Sequence, residues 1–128
     1  MAPIERRHVS AARMASIKRR IELEWMMLLP PEIVDHFPQR QRVVLTVIAD
    51  DHRQHGICRG HIDDLTIRAA CTVSTVKAAI SEAIRLGFLA RDEQGALMIV
   101  SAEWLAFISE SSVDRRRDRY AEDVKRFV

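Results

Sequence analysis

The 128-residue sequence has few of the residues on which disulfide-rich and all-β proteins depend. It contains two cysteines, four glycines and four prolines, and few long β-branched runs. Two cysteines are too few for a disulfide framework, so we expect a reducing, cytoplasmic environment. The shortage of turn residues and of β-branched runs argues against a sandwich or barrel and predicts a mainly α-helical protein.

Long hydrophobic runs are also missing. The longest apolar run covers residues 25–29 and stops at Pro30, far short of the ~20 residues that span a membrane. Nothing in the sequence resembles a secretory signal. A composition of 48% hydrophobic and 30% charged residues can form one core with a solvated surface. We therefore expect a single domain with additional helices and no membrane association.

Neither sign of charge dominates the sequence. Twenty Lys and Arg stand against eighteen Asp and Glu, and this net charge of +2 neither requires nor excludes a nucleic-acid partner. The basic excess is confined to residues 1–60, which carry ten basic and seven acidic side chains. Residues 61–100 carry four against five, and residues 101–128 carry six against six. A basic surface is therefore expected near the N-terminal end.

Motifs of the common enzyme classes are missing as well. The sequence has no phosphate-binding loop, dinucleotide-binding turn, nucleophile elbow or His-Glu-x-x-His motif. We expect no enzymatic activity, no cofactor and no small-molecule substrate.

One set of potential metal ligands is present. His52, His55, Cys58 and His61 recur every three residues and carry the nitrogen and sulfur donors that zinc prefers. A predicted helix end at Gly56 interrupts this spacing, so the sequence leaves open whether these side chains bind a metal.

The helical pattern begins in an N-terminal arm, residues 1–36. Between Val9 and Leu29, apolar residues recur at spacings of three and four until Pro30 and Pro31 end the pattern. Arg13 and Arg20 lie seven residues apart beside this apolar stripe. They either contact phosphates or merely solvate the edge of the helix.

A helix-turn-helix is predicted next, within a domain covering residues 37–108. One helix runs from about Gln39 to Gly56, and a strand stub follows at residues 57–59. Two further helices occupy residues 62–86, with Thr72 as N-cap and Gly87 as C-cap of the second, which covers about 73–86. Their predicted buried residues are Ile62, Leu65, Ala69, Val76, Ile80, Ala83 and Ile84. A β-hairpin with its tip at residues 92–95 completes the pattern.

Residues 56–89 resemble a known family. The most specific stretches are Ser74-Thr75-Val76-Lys77 and Leu86-Gly87-Phe88-Leu89. They resemble the winged helix-turn-helix family of bacterial and phage replication-initiator N-terminal domains and of conjugation or transcription repressors. The resemblance implies a mainly α fold with a small β-hairpin wing and binding to double-stranded DNA. The sequence departs from the family at Gly60-His61, where Pro-Ser is common, and at Val73, where a polar or basic residue is commoner.

Resemblance and helical phase together identify candidate DNA-binding residues. Hydroxyls, a lysine and small apolar side chains on the second helix could contact bases or phosphates. The hairpin tip, with Asp92 and Glu93, would repel a phosphate, so it is expected to have a structural role. The candidate set is Val73, Ser74, Thr75, Lys77, Ala78, Ser81, Arg85, Arg91, Arg40, Arg42, Arg13 and Arg20.

The C-terminal segment adds two predicted helices. Ser101 can cap a helix in which Trp104, Leu105 and Ile108 face inward. A C-terminal helix, residues 109–128, shows apolar residues at heptad-like spacing, namely Val113, Tyr120, Val124 and Phe127. Terminal helices that flank a winged helix favour a homodimer, although the sequence leaves open which helix forms the contact.

These observations predict a small bacterial or phage transcription regulator, such as a repressor, that binds specific duplex DNA. A replication or conjugation accessory factor remains an alternative. A winged-helix module for protein–protein interaction that does not read DNA is another, favoured by the acidic hairpin tip and by Val73.

Overall fold

The computed structural model describes residues 27–126 of the chain. Eight elements follow one another, six helices and one antiparallel hairpin of two strands. They are α1 (Pro31–His36), α2 (Gln39–His55), α3 (Ile62–Ala69), α4 (Val73–Arg85), β1 (Leu89–Arg91), β2 (Leu97–Ile99), α5 (Ala102–Phe107) and α6 (Glu110–Arg126). This is a winged helix-turn-helix with added helices, which confirms the predicted fold class. Most of the predicted N-terminal arm helix lies outside the described residues.

A short helix, α1, was not predicted from the sequence. Pro31 occupies its first turn, where the missing N–H costs no hydrogen bond. Ile33 is fully buried and Phe37, just after the helix, is 2% exposed. The two prolines at 30 and 31 thus start a helix as well as ending the preceding pattern.

Helix α2 is the central element of the fold. It follows Pro38 and ends at Gly56, whose φ of 79° is left-handed, as the predicted C-cap requires. Val44, Leu45 and Ile48 are completely buried. The helix packs against α3, α4 and β2, so it supports both the helix-turn-helix and the hairpin.

Helix α4 is fixed at both ends by the predicted caps. The Thr72 hydroxyl accepts a hydrogen bond of 3.2 Å from the amide of Thr75. At the other end Gly87 has a φ of 82°, and the amide of Phe88 donates to the carbonyl of Ala83 at 2.9 Å. These local signals explain why the helix begins and ends where the sequence predicts.

The predicted burial of Ile84 is wrong, because this side chain is 38% exposed. The buried face of α4 consists of Val76, Ala79, Ile80 and Ala83. Ile84 lies eight residues beyond Val76, which turns it by about 80° round the helix to the edge of that face.

The wing is a short hairpin that covers the core. Leu89 pairs with Ile99 and Arg91 pairs with Leu97. The predicted strand stub is a single bridge, in which Cys58 and Leu97 exchange two backbone hydrogen bonds of 2.9 Å. Leu97 therefore has Cys58 on one side and Arg91 on the other.

The C-terminal elements hold the beginning of the described chain. Ser101 caps α5 as predicted, and Trp104 is completely buried with its Nε1 donating to the Leu28 carbonyl at 2.8 Å. The Arg116 guanidinium donates to the carbonyls of Met27 and Phe107. Residues 27–29 thus belong to the same core as the helix-turn-helix.

The predicted inward position of Leu105 is also wrong, because its side chain is 39% exposed. Helix α5 has six residues, and its buried side chain is that of Trp104. Ile108, which is also buried, follows just after the end of the helix.

Candidate nucleic-acid interface

The first two turns of α4 present a continuous exposed face. Ser74, Lys77, Ala78 and Ser81 are exposed, and Val73 is 40% exposed. The opposite face packs against α2 and α3. The exposed side chains are therefore held on a rigid element, as direct contact with base edges requires.

The side chains on this face differ in whether they already have hydrogen-bond or ion-pair partners within the described chain. Thr75 is half-buried, and its hydroxyl lies 3.0 Å from the Thr72 hydroxyl, so the cap occupies part of its hydrogen-bonding capacity. Lys77 makes no ion pair with any residue between 27 and 126. Its positive charge is therefore uncompensated within the described chain.

Arg85, at the far end of α4, is paired within its own helix. Its guanidinium bonds both carboxylate oxygens of Glu82, with Nε to Oε2 at 3.0 Å. This hydrogen bonding lowers the pKa of Glu82 and raises the pKa of Arg85. Arg85, one of the predicted DNA-binding residues, therefore has its charge neutralised by Glu82, three residues away.

Arg91 and Asp92 both contact the hairpin's own backbone. The Arg91 Nη1 donates to the Gly95 carbonyl at 2.9 Å. The Asp92 Oδ1 accepts from the amides of Gln94 at 2.9 Å and Ala96 at 2.8 Å. Arg91 is exposed and makes no ion pair among residues 27–126, so its guanidinium is oriented but not neutralised.

The two arginines in the first turn of α2 are remote from Lys77. Arg40 is exposed, whereas Arg42 is half-buried and its Nε donates to the Phe37 carbonyl at 2.6 Å. The Phe37 ring lies 6.3 Å from that of Phe88, which follows the C-terminal end of α4. Lys77 lies eight helical residues, about 12 Å, before the end of α4 at Arg85, so these arginines are near the wrong end of α4 for a joint contact with Lys77. Arg13 and Arg20 lie outside the described residues.

Arg59 is a cation that the sequence reasoning did not select. It is exposed, follows the bridge residue Cys58 and makes no ion pair among the described residues. It lines the same cleft as Arg91. The only local signal in the described chain is a basic residue at the end of the predicted strand stub, because the nearness of Arg59 to Arg91 depends on pairing between residues that are distant in sequence.

An ion pair braces the two helices that precede α4. Arg68 of α3 donates to both oxygens of Asp51 of α2, at 2.7 and 2.9 Å, and the Cys58 thiol donates to the same carboxylate at 3.3 Å. Burial favours the neutral Asp51, but the hydrogen bonds from Arg68 and Cys58 outweigh it and lower its pKa. Burial raises the pKa of Cys58 to about 11, so the thiol stays protonated and unreactive at neutral pH.

The histidine and cysteine set does not form a metal site in the described chain. No group of three or more His, Cys, Asp or Glu that could hold a metal occurs between residues 27 and 126. Cys58 is buried against Asp51, whereas His55 and His61 are exposed. Burial lowers the pKa of His52, which keeps that imidazole neutral.

The described helices include none that combines the length and the apolar character needed to cross a bilayer.

Comparison with known proteins gives one structural likeness. The chain is similar to the crystal structure of transcriptional regulator Tm0710 from Thermotoga maritima, with a TM-score of 0.49 and 17% sequence identity. The similarity covers 97% of this chain and 79% of that one. No protein-family model matches the sequence, and no curated protein does. The function must therefore be inferred from this chain's own residues.

Proposed function

We propose that this protein is a transcription regulator that binds specific duplex DNA with α4 in the major groove. The observation that carries the proposal is the exposed face of Ser74, Lys77, Ala78 and Ser81 on a capped helix whose other face is buried. A B-DNA major groove about 12 Å wide admits such a helix.

Each exposed side chain has a distinct chemical role in this proposal. The Ser74 hydroxyl can donate to or accept from a base edge or a phosphate. Lys77 supplies a cation for a phosphate or for the acceptor edge of guanine. The methyl groups of Val73 and Ala78 fit against the methyl group of thymine. Ser81 extends the polar face by one turn, whereas Arg85 and Thr75 contribute less because each is hydrogen-bonded locally.

Binding as a homodimer would make up for the small number of uncompensated cations on one copy. Residues 61–100 carry four basic and five acidic side chains, so one domain attracts DNA weakly. Two copies joined through their terminal helices would contact two half-sites and double the number of phosphate contacts. The basic arm with Arg13 and Arg20 would add contacts beside each half-site, which suits a repressor or a replication or conjugation accessory factor.

A protein-interaction module is the second candidate, and a specific observation favours it. Ile67 of α3 is 79% exposed and Val73 is 40% exposed, so apolar side chains are present on both helices of the helix-turn-helix. Apolar surface of this kind suits a protein partner as well as thymine methyl groups.

Fluorescence anisotropy over a series of salt concentrations separates the two candidates. The probes are a duplex from upstream of the protein's own gene and a scrambled duplex of equal composition. DNA reading predicts tighter binding to the first duplex and a steep loss of affinity with salt. The Lys77→Ala variant should weaken binding and reduce the slope of log K against log salt by about one.

Arg115→Ala is the matched control, because Arg115 is an exposed cation of α6 that lies about 140° round the helix from Tyr120. It should bind DNA as the wild type does. Equal behaviour of the two variants, or no binding to either duplex at low salt, would rule out DNA reading by α4.

A further inference from the structure

We propose that the cleft between the start of α3 and the hairpin binds a phosphate of the DNA backbone. This inference rests on the proposed function and assigns a second contact to it. The cleft has a volume of about 330 Å³, and the residues that line it include Arg59, His61, Arg91 and Gln94, together with Gly60 and Gly95. We call it the Arg59–Arg91 cleft.

The charge of the cleft is positive. None of the residues that line it is acidic. Arg59 and Arg91 are both exposed, and neither makes an ion pair with any residue between 27 and 126. Two guanidinium groups with no internal counter-charge create a favourable site for an anion.

The acidic groups beside the cleft have other partners. The Asp64 carboxylate lies close to Gly60 and accepts a hydrogen bond of 3.3 Å from Arg68. The Asp92 carboxylate accepts from two amides of the hairpin. These carboxylates therefore bond other groups rather than Arg59 and Arg91, while each keeps its negative charge.

The two arginines are positioned by the small sheet. Arg91 is paired with Leu97, and Arg59 follows Cys58, which is bridged to the other side of the same Leu97. Two strand spacings are about 10 Å, so the two backbones flank β2 at a separation that long arginine side chains can span. The bond from Arg91 Nη1 to the Gly95 carbonyl at 2.9 Å further limits the freedom of one guanidinium.

A phosphodiester is the occupant that fits these features. Guanidinium groups form paired hydrogen bonds with phosphate oxygens, and the imidazole of His61 adds another donor or acceptor. The side chains of Arg59, His61, Arg91 and Gln94 make the lining polar, which suits a solvated anion rather than an apolar ligand. A backbone phosphate carries no sequence information, so this contact would position the domain on DNA while α4 reads bases.

The test is Arg59→Gln in the full chain, measured with the same two duplexes over a salt series. We expect the slope of log K against log salt to fall by about one. Affinity at low salt should drop roughly tenfold or more, and by the same factor for both duplexes, because the contact is independent of sequence. Arg59→Lys should keep the salt slope of the wild type.

Two controls make the outcome decisive. Arg115→Gln removes the same charge from a side of α6 away from Tyr120 and should change neither the slope nor the affinity. A duplex with a single neutral methylphosphonate at the contacted position should weaken the wild type but not weaken Arg59→Gln further, which tests the contact without altering the protein.

If Arg59→Gln binds like Arg115→Gln while Lys77→Ala binds weakly, the cleft assignment is wrong and the proposed function stands. If the wild type binds no duplex at low salt, both fail. Matching thermal melting curves for Arg59→Gln and the wild type will show that the exposed substitution leaves the fold intact.

Discussion

The Asp51 carboxylate connects α2, α3 and the strand stub through hydrogen bonds. It receives two hydrogen bonds from Arg68 of α3 and one from Cys58 of the strand stub, while belonging to α2 itself. Its side chain is 15% exposed, so solvent screens this ion pair less than a surface pair. This carboxylate therefore helps to fix the orientation of α3, together with the buried side chains of Leu65 and Ala69.

We predict that Asp51→Asn will lower the free energy of unfolding by about 1.5 kcal/mol or more at pH 7, because hydrogen bonds to a charged group are lost. The folded pKa of Asp51 lies below its unfolded value of ~3.9. The carboxylate therefore stabilises the fold above the unfolded pKa, and this contribution disappears as pH falls through the lower folded pKa.

Urea unfolding at pH 7 and at successively lower pH provides the measurement. The difference between Asp51→Asn and the wild type should shrink in acid. Asp114→Asn, at an exposed position of α6, should show little difference at either pH. A gap for Asp51→Asn that is constant with pH would contradict the role assigned to the charge.

At the scale of elements, the turn between α3 and α4 contains a strained residue. Ala70 has a φ of 52° and a ψ of 48°, a left-handed conformation that favours glycine. Its amide bonds the Ile67 carbonyl and that of Cys71 bonds the Thr66 carbonyl, each at 3.2 Å, which closes α3. The turn therefore holds its shape against a local conformational cost.

We predict that Ala70→Gly will raise the free energy of unfolding by about 1 kcal/mol, because glycine adopts this conformation without the Cβ clash. Ala78→Gly is the matched control, since Ala78 is exposed in the interior of α4, where glycine should cost about 1 kcal/mol. The same substitution should thus have opposite signs at the two sites. Denaturant melts of both variants will check this, and destabilisation by Ala70→Gly would refute the strain.

Local sequence signals were sufficient for the helix-turn-helix and its caps. Thr72 and Gly87 fix the two ends of α4 through the backbone of adjacent residues, so their effect could be predicted without knowing the fold. The predicted burial of Ile84 and Leu105 is wrong because helical phase alone does not determine where a buried face ends. Arg59 was missed because its partner Arg91 is brought near by the bridge from Cys58 to Leu97, a pairing between residues distant in sequence.

At the scale of the whole molecule, α6 has the features of an association surface. Val113 is buried against the body, whereas residues 117–122 are exposed, including Tyr120 at 38%. Helix α5 is its main contact within the described chain. An exposed aromatic on a helix that extends from the core suits the proposed dimer through the terminal helices.

We predict that the protein at micromolar concentration has twice its monomer mass of 14.7 kDa by sedimentation. Tyr120→Ala should weaken the dimer roughly tenfold or more, because buried interface tyrosines often contribute this much. Asp118→Ala, two residues away on the same exposed segment, serves as the control. A mass of 14.7 kDa for the wild type would eliminate the dimer.

The hydrogen bond from Trp104 to the Leu28 carbonyl links residues 76 positions apart. Closing so long a loop has a larger entropic cost than forming neighbouring contacts. The contacts among α2, α3 and α4 lie closer in sequence, so we expect them to form earlier during folding. The surface proposed to read DNA would then be complete before the terminal helices attach, and a newly synthesised chain would form α4 before the helices proposed to join two copies.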